Sequence, residues 1–216
     1  MYCITQLNIV QLLRINKRMI KNIDQLTISL RELPFSLVPP KARQWMFQTI
    51  DALPDKSVIV ELGTFVGGTT RLIAKRNTSI TVHTIDLNNW EEAWVLSDYS
   101  IDRFTNIHNE PDVVLSDLNI IQDIHLSDLP NVIRHVGDTK TLDVHNIDLA
   151  FIDAAHNYDS VTSDLEHIFA RLKPGGYIFG DDARHGGVYT ATFDFCLKHN
   201  LQFTIYNSFF KIQKNY

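Results

Sequence analysis

Short apolar runs that each end close to an acidic residue recur along the middle of the chain. They cover residues 57–62, 80–86, 132–138, 147–153 and 176–181. Runs of this length, rich in β-branched residues, predict buried parallel strands. Stretches with apolar residues at helical spacing alternate with them. The pattern therefore predicts an α/β fold, with a mostly parallel sheet and helices on both faces.

The two ends of the chain depart from this alternation. Before the first strand, helices are predicted over residues 5–30 and 41–52. After the last parallel strand, a helix to about Leu197 precedes two β-rich segments, Leu201–Tyr206 and Phe209–Gln213. Because only two residues separate these segments, they predict an antiparallel hairpin that closes the sheet.

The same pattern predicts the domain organisation. Residues 1–45 form a helical appendage, and residues 46–216 form one α/β domain. A long insert at residues 88–131 separates two strands and is predicted to cover the site. Part of the insert has apolar residues at helical spacing, namely Val114, Leu118, Ile121 and Ile124.

Composition narrows the class of protein. Of the 216 residues, 44% are hydrophobic and 21% are charged, as in a soluble globular domain. No apolar run reaches the roughly 18 to 20 residues of a membrane span. The net charge of −5 argues against nucleic acid as a partner. We expect a cytoplasmic protein with free thiols at Cys3 and Cys196, in which the basic amino-terminal helices either cover the ligand pocket or form a homodimer contact.

The first candidate site lies at the end of the strand at residues 57–62. There the sequence reads E-x-G-x-x-x-G-G from Glu61, with Gly63 suited to a tight turn and Gly67 to close approach of a ligand. Open α/β sheets bind ligands at this edge, so Glu61 is predicted to point into the crevice. The spacing differs from the G-x-G-x-x-G pattern of dinucleotide-binding enzymes. It resembles motif I of the class I S-adenosylmethionine (SAM) methyltransferases.

That resemblance implies SAM as cofactor and a Rossmann-like sheet, with Thr64 also in the cofactor loop. Asp86 ends the next strand 23 residues after Gly63, and a carboxylate there can accept from both hydroxyls of a ribose. The resemblance further implies that Asp138 faces the adenine amino group. Asp86 could instead cap a helix or lie in a surface turn.

A second constellation of acids follows the strands at residues 147–153 and 176–181. Asp153 ends the first, and Asp181 and Asp182 end the second. Crowded carboxylates repel one another, which a hard cation such as Mg²⁺ would relieve, and Asp153 could also contact the cofactor. Alternatively, Asp181 and Asp182 cap the next segment or pair with Arg184.

The segments F-I-D-A-A-H-N-Y and L-K-P-G-G-Y-I-F-G-D-D resemble metal-dependent small-molecule O-methyltransferases of the macrocin and catechol type. The resemblance implies methyl transfer to a hydroxyl of a sugar, catechol or other diol, with Asp153 in the catalytic site. His156 is then the candidate base near neutral pH, with His185 as its rival. His156 could instead cap the following helix or bond to the backbone.

Two other functions stay open at this stage. A SAM-binding module without catalysis is one, because a fold does not guarantee an activity and Ala155 departs from the family pattern. A nucleotide-cofactor oxidoreductase is the other, and both the glycine spacing and the terminal hairpin disfavour it.

Overall fold

The computed structural model describes residues 23–88 and 118–215, and the fold is given for these residues. The helices are α1 (Ile23–Glu32), α2 (Pro40–Asp51), α3 (Gly68–Arg76), α4 (Leu118–Leu126), α5 (Tyr158–Arg171) and α6 (Gly186–His199). The strands are β1 (Val58–Leu62), β2 (Thr81–Asp86), β3 (Val132–Val136), β4 (Ile147–Ile152), β5 (Leu172–Gly180), β6 (Phe203–Tyr206) and β7 (Phe209–Gln213).

The seven strands form one sheet in the order β3-β2-β1-β4-β5-β7-β6. Strands β1 to β5 are parallel to their neighbours among themselves, and β7 is antiparallel to both β5 and β6. The predicted α/β sheet with its carboxyl-terminal hairpin is therefore confirmed.

Apolar side chains alternate along the central strands, so each face of the sheet has its own core. One face carries Val60, Ala150 and Ile178, which pack against residues of α5 and α6. The opposite face carries Ile59 and Phe151, which pack against residues of α2 and α3. The carboxyl ends of the parallel strands lie together at one end of the sheet, between these two layers.

A third core joins the amino-terminal part of the chain to the glycine-rich loop. Leu30 of α1, Phe35 and Val66 pack together with apolar residues of α4, Leu118, Ile121 and Ile124. The helical spacing predicted within the insert is thus seen over its described part. Arg71 of α3 is completely buried and donates to the Arg31 carbonyl, the His125 carbonyl and the Asp128 carboxylate.

Several sequence expectations can be compared with these bounds. Helix α1 corresponds to the last part of the helix predicted over residues 5–30, and the earlier part lies outside the described residues. Cys3 and residues 89–117 of the insert, with Val114 among them, also lie outside the described residues. Cys196 is buried and free, as predicted. Within the ranges 23–88 and 118–215, no helix has the length and apolar character needed to cross a membrane.

Candidate functional site

Backbone hydrogen bonds join the loops that leave the carboxyl ends of the central strands. The Gly63 amide donates to the Ile85 carbonyl at 2.9 Å, and the Asp153 amide donates to the Leu62 carbonyl at 2.8 Å. The Asp181 amide donates to the Ile152 carbonyl at 3.1 Å. These bonds extend the sheet by one residue and fix the positions at which three predicted site residues leave it.

Close contacts explain the glycines of the loop between β1 and α3. Gly63 has φ +95°, and a Cβ there would lie 2.1 Å from the Asp153 carbonyl oxygen. A Cβ on Gly68 would lie 1.8 Å from the Phe35 carbonyl oxygen. Gly67 has φ +79° and packs against Leu126 of α4. The loop is therefore held between β4 on one side and the amino-terminal segment on the other.

Glu61 lies beneath this loop and is completely buried. Its Oε2 accepts hydrogen bonds from Thr70 Oγ1 and, at 2.6 Å, from Thr84 Oγ1, which also lies 2.6 Å from Thr64 Oγ1. Its Oε1 has no hydrogen-bond partner among the described residues. Burial raises the pKa of the Glu61 carboxyl to about 7, so the buried acid titrates near neutral pH.

Two further acids that were predicted to bind the cofactor, Asp86 and Asp138, lie at the ends of neighbouring strands. Asp86 accepts from the Phe65 amide at 2.8 Å and from the Asn88 amide at 3.0 Å, so its carboxylate holds the glycine-rich loop to β2. Asp138 is exposed and accepts from the Lys140 amide, which caps a short 3-10 turn. Contacts of either acid with a cofactor stay predictions.

A cavity of about 280 Å³ runs from the glycine-rich loop to the ends of β4 and β5. Small-molecule sites typically have roughly 300–1,000 Å³, so this cavity can hold part of a cofactor with an acceptor group beside it. It is lined by five stretches of the chain: Phe35, Ser36, Leu37, Val38 and Pro39; Gly63, Thr64, Phe65, Gly68 and Thr69; Asp153, Ala154 and His156; Asp181 and Asp182; and Ser208.

His156 and Asp182 form a close pair in this cavity. His156 Nε2 lies 2.9 Å from Asp182 Oδ2 and 4.0 Å from Asp153 Oδ1. The interaction with His156 lowers the pKa of Asp182, so that carboxyl is ionised at neutral pH. The cap of α5 is Asn157, whose side chain accepts from the Ser160 amide. The alternative in which His156 caps this helix is therefore wrong.

The rival base lies farther from the cavity. His185 is exposed, its ring centroid is 5.9 Å from that of His156, and it is not among the cavity-lining residues. Its backbone amide donates to the Asp182 carbonyl at 2.7 Å, which helps to fix the start of α6. Arg184 donates to the Asn207 carbonyl, away from the two acids with which it could have paired.

The predicted metal ligands do not form a metal site in this geometry. The Asp182 carboxylate lies against His156, and Asp181 Oδ1 accepts from the Asp182 amide at 2.7 Å. Over residues 23–88 and 118–215, no three His, Cys, Asp or Glu side chains are placed to hold one ion. Burial raises the pKa of Asp181, and burial and the neighbouring carboxylates raise the pKa of Asp153 well above its usual range. As they are placed, Asp153, Asp181 and Asp182 do not form a cluster that fits Mg²⁺.

A family model described as a methyltransferase domain matches residues 60–183, which is more than half of the chain. The chain belongs to this methyltransferase family. The match begins within β1 and contains the glycine-rich loop, His156 and Asp182, so among the described cavity-lining residues it leaves out residues 35–39 and Ser208. Comparison with curated protein sequences finds no match.

Solved structures agree with the methyltransferase fold. The O-methyltransferase NovP has a TM-score of 0.58 at 16% identity, over 84% of this chain and 82% of its own. A SAM-dependent O-methyltransferase from Thermotoga maritima has a TM-score of 0.57 at 12% identity, over 88% and 71% of the two chains. An O-methyltransferase from Bacillus cereus, solved in complex with SAH, has a TM-score of 0.51 at 16% identity, over 93% and 96%. The predicted class I, SAM-dependent methyltransferase fold is confirmed.

One region of this methyltransferase's candidate site has no residue among those predicted from the sequence. Residues 35–39, which we call the wall segment, line the cavity although they precede the matched family region. Their sequence signals are Pro34 and the Pro39-Pro40 pair, which indicate a break between helices. Contacts across the fold place the segment at the site, and no local pattern encodes them.

Proposed function

We propose that this methyltransferase transfers the methyl group of SAM to a hydroxyl group of a small molecule, with His156 as the general base. The observation that carries the proposal is the His156–Asp182 pair, which lines the same cavity as the glycine-rich loop. A base, an ionised partner and the expected cofactor loop thus line one cavity.

In the proposed reaction, the acceptor oxygen attacks the methyl carbon of the sulfonium while the carbon–sulfur bond breaks. The sulfur keeps the electron pair, so that SAM becomes SAH, and the hydroxyl proton passes to His156. Asp182, at 2.9 Å, would stabilise the imidazolium that forms. SAM supplies the activated methyl group. The wall of the cavity would hold nucleophile and methyl in line, which reduces the entropic part of the barrier.

The charge of the cavity bears on the acceptor. Three aspartates and one histidine line it, with no Lys or Arg among the described lining residues. A negatively charged acceptor would be repelled there, so we infer a neutral or cationic acceptor such as a sugar, a catechol or another diol. The three structural neighbours described above are named as O-methyltransferases, which supports a hydroxyl acceptor.

A turnover assay with matched variants tests the proposal. SAH formation is measured with panels of sugars, catechols and aliphatic diols, and SAH affinity is measured separately by calorimetry. We expect His156→Asn to lower kcat by roughly 10²–10⁴-fold while SAH affinity stays within about twofold. His145→Asn is the control, because His145 is exposed and contacts Asp143. His185→Asn should retain turnover.

Three outcomes would change this proposal. Full turnover by His156→Asn would remove His156 as the base, and loss of turnover by His185→Asn alone would transfer the role to His185. SAH binding with no turnover across all panels would favour the non-catalytic module. Because no step above uses a metal, turnover should survive chelation with EDTA, and its loss would restore the predicted Mg²⁺ role.

A further inference from the structure

The wall segment is attached to the glycine-rich loop and to α3 at several points. The Phe35 carbonyl packs directly against Gly68, and Ser36 Oγ lies 2.8 Å from Thr69 Oγ1. The Phe35 ring is buried in the third core beside Val66. A chain segment from outside the matched family region therefore forms one side of the cofactor cavity.

His125, near the end of α4, makes a further and more specific attachment. Its Nε2 accepts a hydrogen bond from the Phe35 amide at 3.2 Å, and its Nδ1 lies 2.6 Å from the Val66 carbonyl oxygen. Because an amide can only donate and a carbonyl can only accept, the ring must carry its proton on Nδ1. The side chain is completely buried.

We propose that His125 is a positioning residue that sets the width of the cofactor cavity by joining the wall segment to the glycine-rich loop. This role rests on the proposed SAM-dependent function of the same cavity. Phe35 and Val66 lie 31 positions apart in sequence and on opposite sides of the ring. One imidazole therefore holds the Phe35 amide of the wall segment and the Val66 carbonyl of the glycine-rich loop at a fixed separation.

Burial makes the two hydrogen bonds matter. An unsatisfied amide or carbonyl in the interior costs far more than a bond exchanged with water. The apolar contacts of Phe35 and Val66 remain when the bonds are lost, so the wall segment should loosen without unfolding of the domain. The expected effect is weaker cofactor binding, since a loosened wall must be ordered again when the ligand binds.

Two substitutions separate the two bonds. In His125→Asn, the side-chain amide takes the place of Nδ1 and can still donate to Val66, but the bond from the Phe35 amide to Nε2 is lost. In His125→Gln, the side-chain oxygen reaches the place of Nε2 and can accept from Phe35, but the bond from Nδ1 to the Val66 carbonyl is lost. His145→Asn is again the matched control, because it makes the same chemical change at an exposed histidine.

Three measurements are made on each full-length variant: the Kd for SAH, hydrogen exchange at the Phe35 amide, and Tm. We expect both His125 variants to raise the Kd roughly three- to tenfold, because each loses one of the two buried bonds, and only His125→Asn to speed exchange at the Phe35 amide by a similar factor. Exchange of that amide in His125→Gln should stay close to the wild-type rate, and the control should match wild type in both measurements. A merely structural role would lower Tm in both His125 variants without this difference in exchange.

Wild-type exchange and Kd in His125→Asn would overturn the proposal, as would equal exchange of the Phe35 amide in the two His125 variants. If His125→Asn does not fold, the nitrogen NMR shifts of the wild-type His125 ring decide, because a proton on Nε2 is incompatible with the attachment. Failure of wild type to bind SAH would refute the proposed function instead. The exchange and tautomer measurements would then still test whether His125 holds the wall segment.

Discussion

Substitution of Gly63 by alanine should be strongly damaging, because it adds a steric clash to a left-handed backbone conformation. The residue has φ +95°, and the new Cβ would lie 2.1 Å from the Asp153 carbonyl oxygen and 2.6 Å from its carbon. That carbonyl cannot retreat easily, because the Asp153 amide is bonded to Leu62 at the end of the sheet.

Two other glycines separate the contributions to this loss. Left-handed backbone costs an L-residue about 1–2 kcal/mol, and overpacking adds about 1–3, so Gly63→Ala should lose about 2–5 kcal/mol of unfolding free energy. Gly175 has φ +78° and no atom within 4 Å of a built Cβ, so Gly175→Ala should lose about 1–2 kcal/mol from strain alone. Gly186 has neither problem and begins α6, so Gly186→Ala should be neutral or stabilising by up to about 1 kcal/mol.

The assay is urea unfolding followed by circular dichroism, with the Kd for SAH measured in parallel. The expected order of stability is Gly186→Ala, then Gly175→Ala, then Gly63→Ala, and only Gly63→Ala should weaken SAH binding. If Gly63→Ala lost no more free energy than Gly175→Ala, the contact with Asp153 would be unimportant. The packing argument for the loop would then be wrong.

Three further predictions concern charge. Asp128→Ala leaves the buried Arg71 without its carboxylate and should cost about 1–3 kcal/mol in urea unfolding, whereas Asp51→Ala, which breaks an exposed ion pair, should cost less than about 1. Because the pKa of Glu61 is raised to about 7, its protonated form stabilises the fold fully below about pH 4.5, and this contribution of about 3 kcal/mol is lost as the pH rises to 7. Glu61→Gln should flatten that loss in unfolding curves taken across this pH range. An unchanged dependence of stability on pH would contradict the prediction. The raised pKa of Asp153 should fall when the positively charged sulfonium of SAM binds beside this carboxyl. Calorimetry in buffers of different ionisation enthalpy should therefore show more proton release on binding of SAM than on binding of SAH.

The sheet was predictable because the apolar pattern within each segment indicates a strand. The run of apolar residues at 147–152 cannot be exposed on either face, so it had to be a central strand. The start of β5 was not predictable in this way. Residues Lys173-Pro174-Gly175-Gly176 indicate the end of a helix, yet they belong to β5, and Leu172 already pairs with Ile147. That pairing depends on a neighbouring strand 25 positions away, which local pattern does not contain.

The position of the site was predictable for the same reason as the sheet. An acid that follows a buried parallel strand must lie at the carboxyl edge, and Glu61, Asp86 and Asp153 all do. The direction of each side chain depends on partners that come from other elements. The wall segment and His125 show most clearly what local sequence cannot predict, because their contacts with Val66 and Gly68 exist only in the folded chain.

The strand-end acids also have a structural task that sequence patterns conceal. Glu61 accepts from Thr70 and Thr84, and Asp86 accepts from the Phe65 amide, so both carboxylates hold the glycine-rich loop in shape. Replacement of either acid would therefore weaken cofactor binding even if that acid never touched the cofactor. Loss of affinity alone cannot assign them a binding role. The decisive comparison is between a variant that removes the carboxylate and one, such as Thr84→Val, that removes only its structural partner.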